Sequence, residues 1–225
     1  MRNRYAKNAK ISEAKTRALV KVFSLDVPAL TASVLLGLNR NTVQHYYDLL
    51  RLRILELAVA EARPFTGEVE VDESYFGPRR GRGKRGRGAG GKTPVIGLFK
   101  RGGKVFTEVV ENCSKQALMP VIEGQVLSKT TVYTDGWKSY DGLVLGGYKH
   151  HRIHHHQHEF ARGKNHVNGI ESFWSFTKLR LAKLRGIQSE AFILHLKESE
   201  WRFHHRRDNL YLLLLKELRL NPLVF

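Results

Sequence analysis

Cysteine is almost missing from this chain. Cys113 stands alone, which excludes an internal disulfide and any cysteine-rich zinc site and fits a reducing cytosol. Long apolar runs are missing as well: Leu210-Tyr-Leu-Leu-Leu-Leu215 is far too short to span a membrane. The N-terminus is basic but lacks the apolar core of a signal peptide. Acidic residues are scarce, 21 Asp and Glu against 38 Lys and Arg, for a formal net charge of +17. An excess of that size, spread along the whole chain, makes a polyanion the natural partner, with nucleic acid first among polyanions. A ribosomal or architectural protein would carry the same excess, so charge names a class of partner and no activity. What is present suffices for a folded protein: 42% of the 225 residues are hydrophobic, enough for one ordinary domain and a small second one.

The first third of the chain has helical periodicity. Residues 1–12 are basic and polar and are expected to be frayed, or helical only on DNA. Apolar residues recur at helical spacing from Ser12 to about Phe23, and Pro28 opens a second helix through Leu36. In Gly37-Leu-Asn-Arg-Asn-Thr-Val43, Gly37 permits a tight turn, Asn39 can cap the next helix, and Val43 returns to the core. The third helix, from about Arg40 to Ala62, presents Arg40, Asn41, Gln44 and His45 at its exposed beginning. This is the logic of a helix-turn-helix with its recognition helix second; a plain three-helix bundle has the same pattern without DNA. Residues 1–63 are therefore expected to form a helical DNA-binding domain, bounded by Arg63-Pro-Phe-Thr-Gly67.

Beyond Gly67 the period changes from 3.6 to 2. Strands are expected over Glu68–Phe76, Thr93–Lys100 and Lys104–Glu111, the last two joined by the hairpin signal Arg101-Gly-Gly103. A helix interrupted near Pro120, a short strand Thr130–Thr134, a short helix ending near Gly142 and a strand over Tyr148–Ile153 follow. Asn168 to about Arg185 is helical, and residues 190–220 form a further helix or helix pair. Three strands, helix, strand, short helix, strand, helix is the order of a ribonuclease-H-like α/β core with a mixed five-stranded sheet. The expected domains are 67–189 for that core and 190–225 for a C-terminal helical extension.

In that order the first and fourth strands lie side by side and the closing helix crosses their ends. Asp72 sits on the first strand, Asp135 ends the fourth, and Glu171 lies on the closing helix with Asn168 one turn before it. Carboxylates from separate elements are what two-metal phosphodiester chemistry needs, and Mg²⁺ or Mn²⁺ takes oxygen ligands of this kind. Each residue also has a structural role open to it. Asp72 suits a solvated strand end, on a face shared by Glu68, Glu70 and Ser74 while Glu73 points the other way. Asp135 before Gly136 suits a turn, and Asn168-Gly-Ile-Glu171 suits a capping box.

Val71-Asp-Glu-Ser-Tyr-Phe-Gly77, Tyr133-Thr-Asp-Gly-Trp-Lys-Ser-Tyr140 and His166-Val-Asn-Gly-Ile-Glu-Ser-Phe-Trp-Ser175 resemble the three catalytic blocks of DDE-class insertion-sequence transposases. The group most resembled is the ISXO-like one, with its Asp-Asp-Asn-Glu set, over roughly Gly67 to Asp208. The resemblance implies Asp72, Asp135 and Glu171 as ligands of two Mg²⁺ or Mn²⁺ ions, with Asn168 an auxiliary active-site residue. It also implies cutting and joining at terminal inverted repeats of double-stranded DNA, by a homodimer or larger assembly on DNA at the nucleoid. Some relatives carry an N-terminal zinc ribbon, whose paired cysteines this chain lacks.

Other basic segments fit that partner. Residues 79–92 form an Arg/Gly loop beside the first catalytic strand, and Arg79, Arg80, Arg82, Lys84, Arg85 and Arg87 would contact phosphate and make binding salt-sensitive. Lys178, Arg180, Lys183 and Arg185 follow Glu171 and either track DNA or form a solvated face. The run from His150 to His158 suits a pH-sensitive basic surface better than zinc, which wants defined spacing. Phe173, Trp174 and Phe176 read as core, and Leu210–Leu218 must be buried. The expected protein is a metal-dependent transposase; a resolvase-type nuclease, or a silent DNA-binding repressor, is the alternative.

Overall fold

The computed structural model describes residues 3–77, 92–135, 140, 142–153, 167–184 and 187–225. The Arg/Gly loop contacts, Trp137 and the histidines from 154 to 158 lie outside the described residues. The chain divides into two compact units, Met1–Glu61 with Arg180–Phe225, and Ala62–Leu179.

The first unit holds helices α1 (Glu13–Ser24), α2 (Ala29–Leu36) and α3 (Arg40–Ala60). Ser12 caps α1 by accepting from the Lys15 N–H, and the Asn39 side chain accepts from the Asn41 N–H at the start of α3. Gly37 closes α2 at φ 58°, a left-handed conformation that a side chain disfavours. The expected frayed terminus is instead pinned: β1 (Ala6–Lys7) pairs in parallel with β7 (Leu223–Val224). The two ends of the chain satisfy each other's backbone groups. The C-terminal residues form two helices, α6 (Ser189–His204) and α7 (Leu210–Leu220). They are no separate extension: Trp201, Leu214 and Leu218 share one core with Leu19, Phe23, Val43, Tyr46 and Leu50.

The second unit is a mixed five-stranded sheet, β2 (Glu68–Phe76), β3 (Thr93–Lys100), β4 (Val105–Val109), β5 (Thr131–Asp135) and β6 (Lys149–Ile153), in the order β4-β3-β2-β5-β6. β2 runs antiparallel to β3 and parallel to β5. The first and fourth strands of the sheet are thus neighbours, as the ribonuclease-H-like order requires. Helix α4 (Lys115–Gln125) continues through Pro120 rather than breaking there. Its Leu118, Met119 and Ile122 pack with Val69, Val71, Ile96, Leu98 and Val132 in one core. By alternation those strand residues share one face of the sheet; the opposite face carries Glu70, Asp72 and Asp135.

Helix α5 (Asn168–Ala182) lies on that second face. Gly97 is the register partner of Asp72, and a Cβ there would meet Trp174 at 2.4 Å and Ile170 at 2.8 Å. Glycine is what lets the helix come so close. Gly97→Ala is expected to cost about 1–3 kcal/mol, since overpacking forces backbone shifts, and to displace α5. A lower urea midpoint at unchanged slope would verify it, whereas wild-type stability would mean that the helix has room to give.

Candidate active site

Parallel pairing puts the two aspartates side by side. Val71 is the register partner of Thr134, and one residue further along both strands stand Asp72 and Asp135. Neighbouring strands lie about 4.8 Å apart, and residues in register point to the same face. Glu171, on α5, is near enough for its charge to act on Asp72. The three carboxylates feel one another: burial first of all, then the charges of Asp135 and Glu171, raise the Asp72 carboxyl to about 6, against a hydrogen bond from the Glu73 backbone and the attraction of Lys178.

Lys178 belongs to the site by helix geometry. Seven residues are about 20° short of two full turns, so Lys178 and Glu171 share a face, whereas nine residues put Arg180 opposite. Lys178 is exposed. Arg180 is not a DNA contact: it is 5% exposed, and its guanidinium is committed to Asp26, Ser199, the His195 carbonyl and Glu198. Lys183 is likewise bonded to Asp26.

Asn168 does not cap α5. It is the first helical residue, and the Glu171 N–H donates to the Val167 carbonyl at 3.2 Å. The cap comes from the sheet instead. Oε2 of Glu70 accepts from the Ile170 N–H at 3.0 Å. A strand residue a hundred positions away in sequence has no local signature at a helix start; the alternation placed Glu70 on the right face without showing its use.

Glu73 faces the other way, where the Tyr140 hydroxyl donates to its Oε1 at 2.6 Å. Burial, and then the nearby charges of Asp72 and Asp135, hold the Glu73 carboxyl up to about 8 despite that hydrogen bond. It is therefore a weaker acid than a free carboxyl. On β6, His150 bonds the Thr134 hydroxyl at 2.9 Å and His151 stacks on Tyr133. Phe173 and Trp174 are buried, as core residues should be.

The chemistry of the donor set suits a hard divalent cation: oxygen ligands only, with repulsion that a cation would relieve. Among the described residues no group of three or more His, Cys, Asp or Glu stands ready-made as a metal cage, so the carboxylates would have to draw closer around an ion.

At the start of α3, Arg40, Asn41, Gln44 and His45 are all exposed. Gln44 donates to Asp48 at 2.8 Å, and the His45 ring meets Phe225 edge to face at 5.1 Å. No helix among the described residues is long and apolar enough to cross a membrane.

Residues 64–204 match the ISXO2-like transposase domain. An uncharacterized transposase-like protein of Haemophilus influenzae is 42% identical over 121 residues, covering 54% of this chain and 98% of that protein. An uncharacterized protein in transposable element ISH50 of Halobacterium salinarum is 29% identical over 166 residues, 67% of this chain and 56% of that protein. Among solved structures, the Mos1 strand transfer complex is similar at 13% identity and a TM-score of 0.39, over 94% of this chain and 76% of that one. The Mos1 transposase paired-end complex with the left transposon end gives the same values.

Proposed function

The chain belongs to the ISXO2-like transposase family, and from that premise we propose that it cuts DNA at the terminal inverted repeats of an insertion sequence and joins the freed ends to target DNA. The observation that carries this reading is the meeting of Asp72 and Asp135, in adjacent register, with the charge of Glu171. Asp72, Asp135 and Glu171 would hold two Mg²⁺ or Mn²⁺ ions. Bound there, such ions supply activation of the attacking hydroxyl and stabilisation of the leaving oxygen.

The chain's own groups do the rest. Water opens the phosphodiester at the element tip, and the freed 3′-hydroxyl then attacks a target phosphodiester in line. Each step exchanges one P–O bond for another and leaves no covalent link to the protein. Lys178, exposed beside the carboxylates, attracts the phosphate that they would otherwise repel. Asn168 stands at the same helix end as Glu171, to bond bound water or phosphate. The exposed start of α3, with Arg40, Asn41, Gln44 and His45, reads the repeat in the manner of a helix-turn-helix. Arg79, Arg80, Arg82, Lys84, Arg85 and Arg87 contact phosphates. Two ends must be held together, so a dimer or larger assembly forms on DNA, at the nucleoid.

The deciding experiment is a cleavage and joining assay on labelled DNA bearing the element's own inverted repeats, in Mn²⁺ or EDTA, with Asp135→Ala as control. Nicks at the repeat tip and joined products, absent in EDTA and in the variant, are expected. Cleavage that persists in EDTA, or in the variant, would overturn the reading.

A further inference from the structure

Glu70 lies on the same strand face as Asp72, two residues before it, and is 1% exposed. Both of its oxygens are spoken for. Oε1 accepts from Arg101 Nε at 2.9 Å, and Oε2 accepts from the Ile170 N–H at 3.0 Å. A buried carboxylate with both oxygens engaged in this way is a poor candidate for a metal ligand. Its partner on α5, however, is the residue immediately before Glu171.

We propose that Glu70 is the positioning residue of the site: from β2 its carboxylate fixes the first turn of α5 and thereby sets where Glu171 stands relative to Asp72. This inference rests on the metal-binding role proposed above for the trio.

The geometry argues for positioning on both sides of the contact. A helix start leaves its first N–H groups without intrahelical partners, and Val167, before α5, has no side-chain oxygen to offer. The Glu70 carboxylate supplies the acceptor, and its charge suits the positive end of the helix dipole. The approach is so close that only glycine fits. A Cβ on Gly169 would lie 2.1 Å from the Phe99 ring and 2.9 Å from Glu70 Oε2.

Glu70 is itself held. Arg101 lies over the Tyr133 ring at 3.8 Å, its backbone N–H donates to the Glu68 carbonyl at 3.0 Å, and the Tyr133 hydroxyl donates to Glu68 Oε1 at 2.8 Å. Tyr133 is two residues before Asp135 on β5. A single polar chain therefore ties the strand of Asp72, the strand of Asp135 and the helix of Glu171 together. Groups that orient metal ligands from behind typically change metal affinity about 10- to 100-fold when removed.

The test uses the full chain without DNA. Mn²⁺ binding is measured by calorimetry for wild type, Asp72→Ala, Glu70→Ala and Glu70→Gln. Amide hydrogen exchange is followed across the first turn of α5. Leu98→Ala is the control for mere destabilisation, because Leu98 is fully buried on the opposite face. Glu70→Ala is expected to weaken Mn²⁺ binding about tenfold or more and to speed exchange at Ile170 and Glu171. Glu70→Gln should fall between, since its amide oxygen can still accept from Ile170 while its NH₂ opposes Arg101; it carries the test if the alanine variant does not fold. Leu98→Ala should lower the melting temperature and leave the affinity within about twofold, a change too small to reflect a repositioned ligand.

Unchanged Mn²⁺ affinity in folded Glu70 variants, or an equal loss in Leu98→Ala, overturns the inference alone. A wild type that binds Mn²⁺ no better than Asp72→Ala overturns the metal reading, and this inference with it.

Discussion

Glu198→Ala lowers the unfolding free energy of the helical unit by about 3–5 kcal/mol, the usual cost of breaking a buried ion pair from one side. Glu198 is 1% exposed on α6 and holds three buried guanidiniums. Its Oε1 lies 2.5 Å from Arg180 Nη2 and 2.8 Å from Arg202 Nε, and its Oε2 lies 2.9 Å from Arg51 Nε. Burial opposes the charge, but attraction to Arg180, Arg202 and Arg51 wins and holds the carboxyl well below its ordinary value. Asp26 and Asp48 share part of the load, at 3.1 Å from Arg180 and 3.0 Å from Arg51. Alanine leaves more positive than negative charge with no water to solvate it. Because the folded carboxyl is the stronger acid, its stabilisation is present above the unfolded value near 4.5 and fades as pH falls below it. The variant's deficit should therefore be full at pH 7 and shrink in acid. Urea titrations at both pH values would measure it; a deficit under about 1 kcal/mol at pH 7 would mean that the cluster relaxes or admits water.

That cluster marks where the sequence stopped being informative. Lys178 and Arg180 are alike in a string of basic residues, yet one shares a helix face with Glu171 and the other pairs with Asp26, in the turn after α1, and with Glu198 on α6. Helical phase separates them: counted from Glu171, position 178 returns to the same face and position 180 does not. The acceptors that bury Arg180, Asp26 and Glu198, come from segments whose meeting has no local sign. The same limit explains the cap of α5. Asn168 has the right residue type for an N-cap, but Glu70 fills that need from the sheet, and the helix starts one residue earlier than a capping box would have it.

What was legible depended on short-range rules. Alternation over Glu68-Val-Glu-Val-Asp72 assigned strand and face together, because one face is buried against α4 and the other bears the carboxylates. Gly37 and Asn39 announced a helix end and a helix start through backbone conformation and a side-chain oxygen, both local properties. The pairing of the chain ends had no such announcement, since each strand is two residues long.

Asp72→Asn should lose cleavage by about a thousandfold or more while making the protein more stable at neutral pH. The loss is expected because two-metal sites use charged carboxylates to hold their ions, and an amide carries no charge. The gain follows from linkage. The Asp72 carboxyl is raised from its ordinary 3.8 to about 6 in the folded chain, so between those values the folded state binds the proton more tightly than the unfolded one. Stability therefore falls as pH rises through this window, and by pH 7.5 the penalty is complete at about 3 kcal/mol. Asparagine removes the charge but still has to be desolvated, so about 1–3 kcal/mol should return, worth roughly 2–10 °C in melting temperature. Below about pH 3 the two proteins should melt alike, because wild-type Asp72 is then largely protonated in both states. Thermal unfolding in EDTA across this pH range reads the effect directly. Added Mn²⁺ should then reverse the order by stabilising wild type and leaving Asp72→Asn almost unmoved. A variant less stable than wild type at pH 7.5 in EDTA would show that Asp72 is paid for within the apo fold rather than held in strain for an ion.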